Sequence, residues 1–237
     1  MLLSWGDRLC VLELSVSSTC QDSRVTLADL VKRIERLSAS EGSAVVVGIA
    51  GAPGAGKTTL AEQLLAILNR DEPQPERQRY AHVPMDGFHL SDAELVRLRL
   101  LEHKGAPETF DAYGYAALLK RLRGPRDAVV YAPGFERTIE QAIAGTLPIY
   151  PSARLILTEG NYLLLDQPGW SEAREQCTEV WYCEQDDRLR VERLILRHIT
   201  FGKSPTAAAD WVQQVDEPNA QLIEATRARA DLVLRVE

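Results

Sequence analysis

The chain has 237 residues, of which 45% are hydrophobic and 26% are charged, and its net charge is -7. This length is sufficient for one domain with a full hydrophobic core. The acidic balance argues against binding to duplex nucleic acid, which requires clustered Lys and Arg side chains against the phosphates. No apolar run approaches the ~18 residues of a membrane span. We therefore expect a globular domain that binds neither nucleic acid nor a membrane.

The cysteines and the first residues bear on the cellular setting. Cys10, Cys20, Cys177 and Cys183 lack the paired spacing of a zinc site. Reduced thiols and a cytoplasmic location are therefore expected. Residues 1–24 are mildly apolar, but they carry charges through the region that a signal peptide keeps uncharged. We interpret them as a terminal strand or a frayed extension in front of the main domain.

The sequence pattern in the first part of that domain predicts a helix, a strand and a second helix. Thr26 is a candidate helix cap, with Asp29 in the capping-box position. The run AVVVGIA at 44–50 is apolar and β-branched, as in a strand that is buried on both faces of a parallel sheet. A helix is predicted from near Thr58, and the polar segment 71–79, which contains two prolines, predicts a surface loop.

The rest of the chain alternates between strand and helix patterns. Ser91 can cap a helix through about Glu102, with Glu94 in the capping-box position, and a short helix ends at Gly124. Alternation of this kind predicts a three-layer α/β/α domain with a mainly parallel sheet of about five strands. Further strands are predicted at Tyr80–Met85, 128–132, 154–158, 179–183 and 231–236, and further helices at 187–200 and 218–229.

The segment between the first core strand and its helix matches G-x-x-x-x-G-K-[ST], the phosphate-binding loop. Glycines let successive backbone N–H groups converge on phosphate oxygens, and the N-terminus of the helix adds positive charge. Lys57 is placed to reach the outer phosphates, and the Thr58 hydroxyl is placed to ligate Mg²⁺. Thr59 is either a minor phosphate contact or a helix-packing residue. The predicted ATP-binding residues are Gly51, Ala52, Pro53, Gly54, Ala55, Gly56, Lys57, Thr58 and Thr59.

Two acidic residues follow predicted strands. Asp86 comes directly after one strand and Glu159 after another. The carboxyl ends of parallel strands meet at the crevice that also holds the phosphate loop. Two carboxylates there could serve Mg²⁺ and a substrate hydroxyl, as phosphoryl transfer to an alcohol requires. The alternative for each is an ordinary turn, since Asp-Gly is a common turn pair.

An ordered set of motifs resembles one group of P-loop kinases. These motifs are GAPGAGKTT, MDGFHL, KGAPETFD and TEGNYLLLD, followed by an Arg-rich helix. The group contains uridine kinase, phosphoribulokinase and type I pantothenate kinase, and the sequence is most similar to its nucleoside or fructose-transport-system kinase-like branch. The similarity spans about residues 25–237, which we therefore expect to form the kinase domain behind an N-terminal extension of residues 1–24.

The resemblance also implies roles for individual residues. It aligns Asp86 with the carboxylate that activates the acceptor hydroxyl, and Glu159 with the acid near Mg²⁺. The residues that it places in the acceptor pocket are His89, Lys104, Tyr131, Arg137 and Asn219.

An arginine-rich helix is the remaining candidate for catalysis. Arg190, Arg193 and Arg197 are spaced so that they share one helix face. Kinases of the group carry a mobile lid here, which we expect at about 188–204, and a guanidinium in it would offset transition-state charge. Arg193 and Arg197 are favoured, with Lys203 as a further candidate. The alternative is a solvated helix face.

These features together predict an ATP- and Mg²⁺-dependent kinase. The acceptor would be a hydroxyl of a small metabolite, which could be a sugar, a nucleoside or a pantothenate-like alcohol. The alternative is a nucleotide-gated P-loop ATPase that acts as a regulator or chaperone; a guanine-nucleotide switch is disfavoured because no N-K-x-D segment is present. Dimers occur among the relatives, so a homodimer is a further expectation that the resemblance implies.

Overall fold

The computed structural model describes residues 14–18, 21–40 and 43–236. The strands are β1 (Leu14–Ser18), β2 (Gln21–Val25), β3 (Val45–Ala50), β4 (Tyr80–Pro84), β5 (Val130–Glu136), β6 (Gln141–Ile149), β7 (Leu155–Glu159), β8 (Glu179–Glu184) and β9 (Leu232–Val236). The α-helices are α1 (Leu27–Ser40), α2 (Lys57–Leu68), α3 (Asp92–Leu98), α4 (Ala112–Arg123), α5 (Trp170–Glu175), α6 (Asp187–Thr200), α7 (Pro205–Trp211) and α8 (Glu217–Glu224). A π-helical turn, Val212–Asp216, connects α7 to α8.

Seven strands form the main sheet, in the order β2-β1-β9-β8-β3-β7-β4. The five strands from β9 to β4 are parallel, whereas β1 pairs antiparallel with both β9 and β2. The predicted mainly parallel α/β sheet is therefore confirmed. The antiparallel pair adds two strands from the segment that we interpreted as a terminal strand or extension. The boundary at residue 25 stays a prediction.

Both faces of the sheet are covered, which completes the three-layer arrangement. Every residue of β3 is buried, as its continuous apolar sequence predicts. On one face, Val45 and Ile49 pack in a core with Leu30 of α1 and Leu60 of α2. The core on the other face includes residues of α4 and α5 together with buried residues of the β5–β6 hairpin: Tyr115, Leu119, Ala173, Ala132 and Ile149.

The predicted helix starts are confirmed, but one predicted helix is too long. The Thr26 hydroxyl accepts a hydrogen bond from the Asp29 amide, and the Asp29 carboxylate accepts one from the Thr26 amide. Ser91 Oγ caps α3 by accepting from the Glu94 amide. This helix ends at Leu98 and does not continue to 102, because Arg99 adopts a left-handed conformation with φ 61°.

The predicted strand at 128–132 does not join the main sheet. It belongs to β5, which pairs antiparallel with β6 in a separate two-stranded hairpin. The sequence prediction missed β6. Towards the C-terminus, α6 matches the predicted helix, but the predicted helix at 218–229 is α8 followed by a 3-10 turn, Arg227–Arg229. Helix α7 was also missed.

The hairpin lies against a 3-10 turn, Met85–Phe88, that follows β4. Gly87 makes this approach feasible. A Cβ atom at this position would overlap the carbonyl oxygen of Pro133 in β5. The Asp-Gly pair is therefore more than an ordinary turn, since its glycine lets the hairpin backbone pack directly on the turn.

We expect Gly87→Ala to lower the free energy of unfolding by about 1–3 kcal/mol, because the hairpin must move to admit the methyl group. Thermal unfolding would measure this as a drop in Tm of roughly 2–4 °C for each kcal/mol. Gly124→Ala is the matched control, because its backbone has φ -70° and the nearest atom to an added Cβ is 3.6 Å away. Equal Tm values for the two variants would contradict the packing role of Gly87.

Candidate active site at the phosphate loop

The phosphate loop connects β3 to α2, as predicted. Gly51 has φ 147°, and an added Cβ atom would lie 2.6 Å from the Cys183 carbonyl oxygen of β8. Gly54 has φ 80° and Gly56, the N-cap residue of α2, has φ 87°. Side chains at these positions would be strained or would clash. The loop backbone and the N-terminus of α2 thus form a concave surface with the polarity that binds phosphate.

Lys57 lies at the mouth of this loop. Its ammonium group donates hydrogen bonds of 2.9 Å to the carbonyl oxygens of Gly51 and Ala52. Burial lowers the pKa of Lys57, and the nearby carboxylate of Glu159 opposes that shift. The Lys57 ammonium group therefore lies between the phosphate loop and the carboxylates of Glu159 and Asp86, where a transferring phosphate would lie.

Glu159 is the last residue of β7, and its carboxyl group is buried against the loop. It pairs in register with Ile49 of β3 and with Pro84 of β4. Its carboxyl group is hydrogen bonded to Thr58. Burial raises the pKa of Glu159 to about 7, with a further contribution from the charge of Asp86. The two predicted Mg²⁺ ligands, Thr58 and Glu159, are therefore in contact.

Asp86 lies in the first turn after β4, two residues beyond the strand position that pairs with Glu159. Its Oδ2 atom is 3.5 Å from Nη2 of Arg137, which extends from the tip of the β5–β6 hairpin. Both side chains are about one-third exposed. Asp86 and Glu159 thus share one end of the sheet with the phosphate loop. Arg137, which was predicted to line the acceptor pocket, contacts Asp86.

His89 and Lys104 contribute to the walls of the site. The His89 ring stacks against Phe110 and Phe135, with ring centroids 3.9 and 4.8 Å away, and its Nδ1 atom is 2.8 Å from the Asp86 carbonyl oxygen. Burial lowers the pKa of His89. The Lys104 ammonium binds Asp92 Oδ1 at 2.6 Å and the carbonyl oxygen of a hairpin-tip residue, Glu140. These contacts give both residues structural roles.

Two further predicted residues do not join this cluster. The Tyr131 side chain is 62% exposed and lies between the buried residues Val130 and Ala132 of β5. Its strand position directs it away from the core. Asn219 is buried in α8, near the π-helical turn. Acceptor-pocket roles for these two residues stay predictions without a contact that supports them.

The three cations that were favoured on and after α6 have different environments. Arg193 is exposed, whereas Arg197 is partly buried. Burial lowers the pKa of Arg197, the charge of Arg137 lowers it further, and Asp216 and Asp86 raise it. The charges of Asp86 and Arg137 therefore act on Arg197. Lys203 lies over the Trp211 ring, 4.3 Å from its centroid. The assignment of about 188–204 as a lid stays a prediction.

The sequence prediction placed Arg190 on the arginine-rich helix face without favouring it, and it assigned no role to His82. Arg190 is 2% exposed, its Nη2 atom donates to Glu217 Oε1 at 2.6 Å, and its Nη1 atom has no hydrogen-bond partner among the described residues. His82 Nε2 is 4.0 Å from Glu159 Oε1, and burial lowers the pKa of His82 to about 4. The even spacing of His82, Pro84 and Asp86 on and after one strand was the available signal.

A cleft of about 740 Å³ lies beside the phosphate loop. Ala52 and Ala55 of the loop, the turn after β8, and α8 line it. Arg190 and Glu217 also line it, so the unpaired Nη1 atom belongs to a cleft-lining side chain. Space of this size next to a phosphate loop suits the base and ribose of a nucleotide.

Comparisons with known proteins agree with this geometry. A Schizosaccharomyces pombe protein named "Putative uridine kinase" is 31% identical over 202 residues, which cover 81% of this chain and 83% of that protein. A "Pantothenate kinase" of Mycolicibacterium vanbaalenii is 30% identical over 210 residues, covering 80% of this chain and 66% of that one. A crystal structure of a "putative fructose transport system kinase" from a Silicibacter species has 37% identity and a TM-score of 0.77, covering 88% of this chain and 98% of that chain.

The chain therefore belongs to the P-loop kinase group of these relatives, and it is a kinase that uses a nucleotide and a small-molecule substrate. A sequence profile for "Methylmalonyl Co-A mutase-associated GTPase MeaB" also matches, but only over residues 14–74. That match contains the phosphate loop and ends before Asp86. Within the described residues, no helix combines the length and apolarity needed to cross a bilayer.

The raised pKa of Glu159 has a consequence for stability. Its folded-state value of about 7 exceeds the ordinary 4.5, so the folded protein binds more protons than the unfolded chain between these values. The free energy of unfolding therefore falls as the pH rises from about 4.5 to about 7. Glu159→Gln removes this pH-dependent loss of stability, because Gln does not titrate, and it keeps a hydrogen-bond acceptor for Thr58.

We expect Glu159→Gln to stabilise the nucleotide-free protein at pH 8 by roughly 1–3 kcal/mol, with little effect at pH 4.5. Thermal unfolding between pH 4.5 and 8 measures the difference. Glu76→Gln, which changes an exposed carboxylate, is the control. A Tm gain that is the same at every pH, or one that Glu76→Gln reproduces, would show that Glu159 is not the titrating group.

Proposed function

We propose that this kinase transfers the γ-phosphoryl group of ATP to a hydroxyl group of a small metabolite, with Mg²⁺, and that Asp86 activates this hydroxyl. The observation that carries the proposal is the position of the Asp86 carboxylate. It shares the end of the sheet with the phosphate loop, and it contacts Arg137 of a separate element, the hairpin. A second structural element beside the catalytic carboxylate is what a kinase requires to bind an acceptor, and a simple nucleotide switch does not require it.

The transfer step assigns a role to each group. The hydroxyl oxygen attacks the γ-phosphorus as its proton passes to the Asp86 carboxylate. A new O–P bond forms, the bond between the γ-phosphorus and the β–γ bridging oxygen breaks, and ADP leaves with that electron pair. Lys57 and the loop amides at Gly51–Thr59 hold the phosphates, and Arg197 offsets the developing negative charge. Arg193, which is exposed, would need to move to take part.

The Thr58–Glu159 pair fits Mg²⁺. A buried carboxyl group whose pKa is raised to about 7 lacks sufficient cationic partners within the protein, and a hydroxyl oxygen lies beside it. Oxygen ligands of this kind suit Mg²⁺, which usually takes only one or two from the protein and the rest from phosphates and water. No cluster of three or more His, Cys, Asp or Glu side chains in the described residues offers a separate metal site. When bound, Mg²⁺ would neutralise phosphate charge.

The cleft beside the loop would take the rest of the nucleotide. Arg190 is buried under the loop, where a Cβ atom on Gly54 would lie 3.0 Å from its carbonyl oxygen. Its Nη1 atom has no hydrogen-bond partner among the described residues, and we propose that it donates to the bound nucleotide. We place the base and ribose in this cleft and the acceptor on the opposite side of Asp86, beneath the hairpin. A homodimer and a cytoplasmic location remain expectations from the relatives and the composition.

We expect Asp86→Asn to lower kcat by about 100- to 10,000-fold, because the amide cannot accept the hydroxyl proton. The affinity for ATP should stay within about threefold, since Asn preserves the volume and the phosphate contacts lie elsewhere. Steady-state ADP release and ATP-analogue titration measure the two quantities. Asp166→Asn, on an exposed side chain, is the control. Unchanged turnover would contradict the role of Asp86, and a matching loss of ATP affinity would assign it to nucleotide binding.

A further inference from the structure

His82 is a largely buried side chain to which the transfer step assigns no role. It lies in β4 and pairs in register with Leu157 of β7, and Glu159 follows two positions further along β7. Residues that pair across strands, and residues two apart on one strand, share a face of the sheet. His82 and Glu159 therefore lie on the same face, and His82 Nε2 is 4.0 Å from Glu159 Oε1.

The Nε2 atom of His82 is buried and has no hydrogen-bond partner among the described residues. Buried polar atoms of folded proteins nearly always have a partner, which is either a protein group or an ordered water molecule. Burial lowers the pKa of His82 to about 4, so the ring is neutral and one of its two nitrogen atoms carries a proton. A proton on Nε2 makes this atom a donor that faces the Glu159 carboxyl group.

The separation of these two groups suits a hydrogen bond that forms when the site is loaded. A distance of 4.0 Å is too long for a direct hydrogen bond. A shift of about 1 Å would close it, and one water molecule with bonds of about 2.8 Å to each atom would bridge it.

Glu159 is contacted by two elements that carry different chemistry. Its carboxyl group is hydrogen bonded to Thr58 of α2, the other proposed Mg²⁺ ligand. Within the part of the chain that the structure describes, His82 of β4 is the one basic side chain within 4.0 Å of this carboxyl group. A carboxylate that binds a metal ion is oriented by hydrogen bonds to its other acceptor sites. His82 occupies the position from which such a bond can be made.

We propose that His82 is a positioning residue for the Mg²⁺ site, and that its Nε2–H group binds Glu159 Oε1, directly or through one water molecule, to orient the carboxylate toward the ion. The inference rests on the proposed function, in which Thr58 and Glu159 hold Mg²⁺. In this arrangement His82 touches neither the ion nor the nucleotide. Its loss therefore weakens the contribution of Mg²⁺ to nucleotide binding and leaves the phosphate contacts of Lys57 and the loop amides in place.

The test measures how much Mg²⁺ strengthens the binding of a non-hydrolysable ATP analogue. Calorimetric titration gives the Kd of the analogue in excess Mg²⁺ and in EDTA, and the ratio of these values is the gain from Mg²⁺. His82→Met removes both ring nitrogens and should reduce this gain by about 10- to 100-fold, the usual effect of losing a hydrogen bond to a metal-binding group. The Kd in EDTA should change less than about threefold, because the phosphate loop is unaltered.

His82→Gln separates the hydrogen bond from a packing role. Gln and Met side chains have nearly the same length and shape, but Gln ends in an amide whose nitrogen is a donor, about as far from the backbone as Nε2 of histidine. His82→Gln should therefore keep the gain from Mg²⁺ within about threefold of the wild-type value. His103→Met, at an exposed histidine, is the control and should leave the gain unchanged.

The inference is wrong if His82→Met retains the wild-type gain. An equal loss in His82→Met and His82→Gln would also contradict it, because the effect would then come from packing of the ring. Equal weakening of the Kd in EDTA and in Mg²⁺ would assign His82 to the shape of the phosphate loop instead. If His82→Met does not fold, His82→Leu takes its place in the same comparison.

These outcomes differ from a failure of the proposed function. A wild-type protein that gains nothing from Mg²⁺ would contradict the Thr58–Glu159 assignment and the role of His82 together. A wild-type gain that His82→Met does not change would remove only the role of His82. The kinase function itself depends on the effect of Asp86→Asn.

Discussion

The site depends on the parallel register of three strands. Glu159 at the end of β7 lies level with Ile49 of β3 and Pro84 of β4, and the phosphate loop and Asp86 begin two residues further along their strands. The register therefore brings the loop and two carboxyl groups to one edge of the sheet. The cost is that burial, together with the charge of Asp86, raises the pKa of Glu159 to about 7, although the charge of Lys57 opposes this shift. A cation that is brought in with the nucleotide would relieve that cost.

The antiparallel hairpin adds a second element beside Asp86, on the side that we assign to the acceptor. It makes contact through Gly87, it is tied to α3 by Lys104, and it carries Arg137 to Asp86. Helix α6 carries Arg197, on which the charges of Arg137 and Asp86 act. In the proposed function, different elements that meet at Asp86 would bind the donor and the acceptor. Such a separation would permit the acceptor site to change without a change in the phosphate loop.

The sequence predicted the parts of the site that lie at the ends of the parallel strands. The phosphate loop, Glu159 and Asp86 were predictable because loops and acids at the ends of parallel strands must converge. Arg137 came only from the resemblance, since its position depends on a hairpin whose second strand has weak sequence signals. The burial of Arg190 and the structural use of Lys104 depend on long-range partners, Glu217 and Asp92, which no local pattern identifies. The length of α3 was overestimated because the left-handed turn at Arg99 falls on a residue that rarely adopts it.

The most direct test of the account is to follow the γ-phosphoryl group itself. The protein would be incubated with γ-labelled Mg·ATP and a panel of sugars, nucleosides and pantothenate-like alcohols, and the label would be separated into organic phosphate and inorganic phosphate. The account predicts that the label enters a phosphate ester of an acceptor in a one-to-one ratio with ADP. Label that appears only as inorganic phosphate, at a rate that no acceptor changes, would contradict it and would favour a nucleotide-gated ATPase.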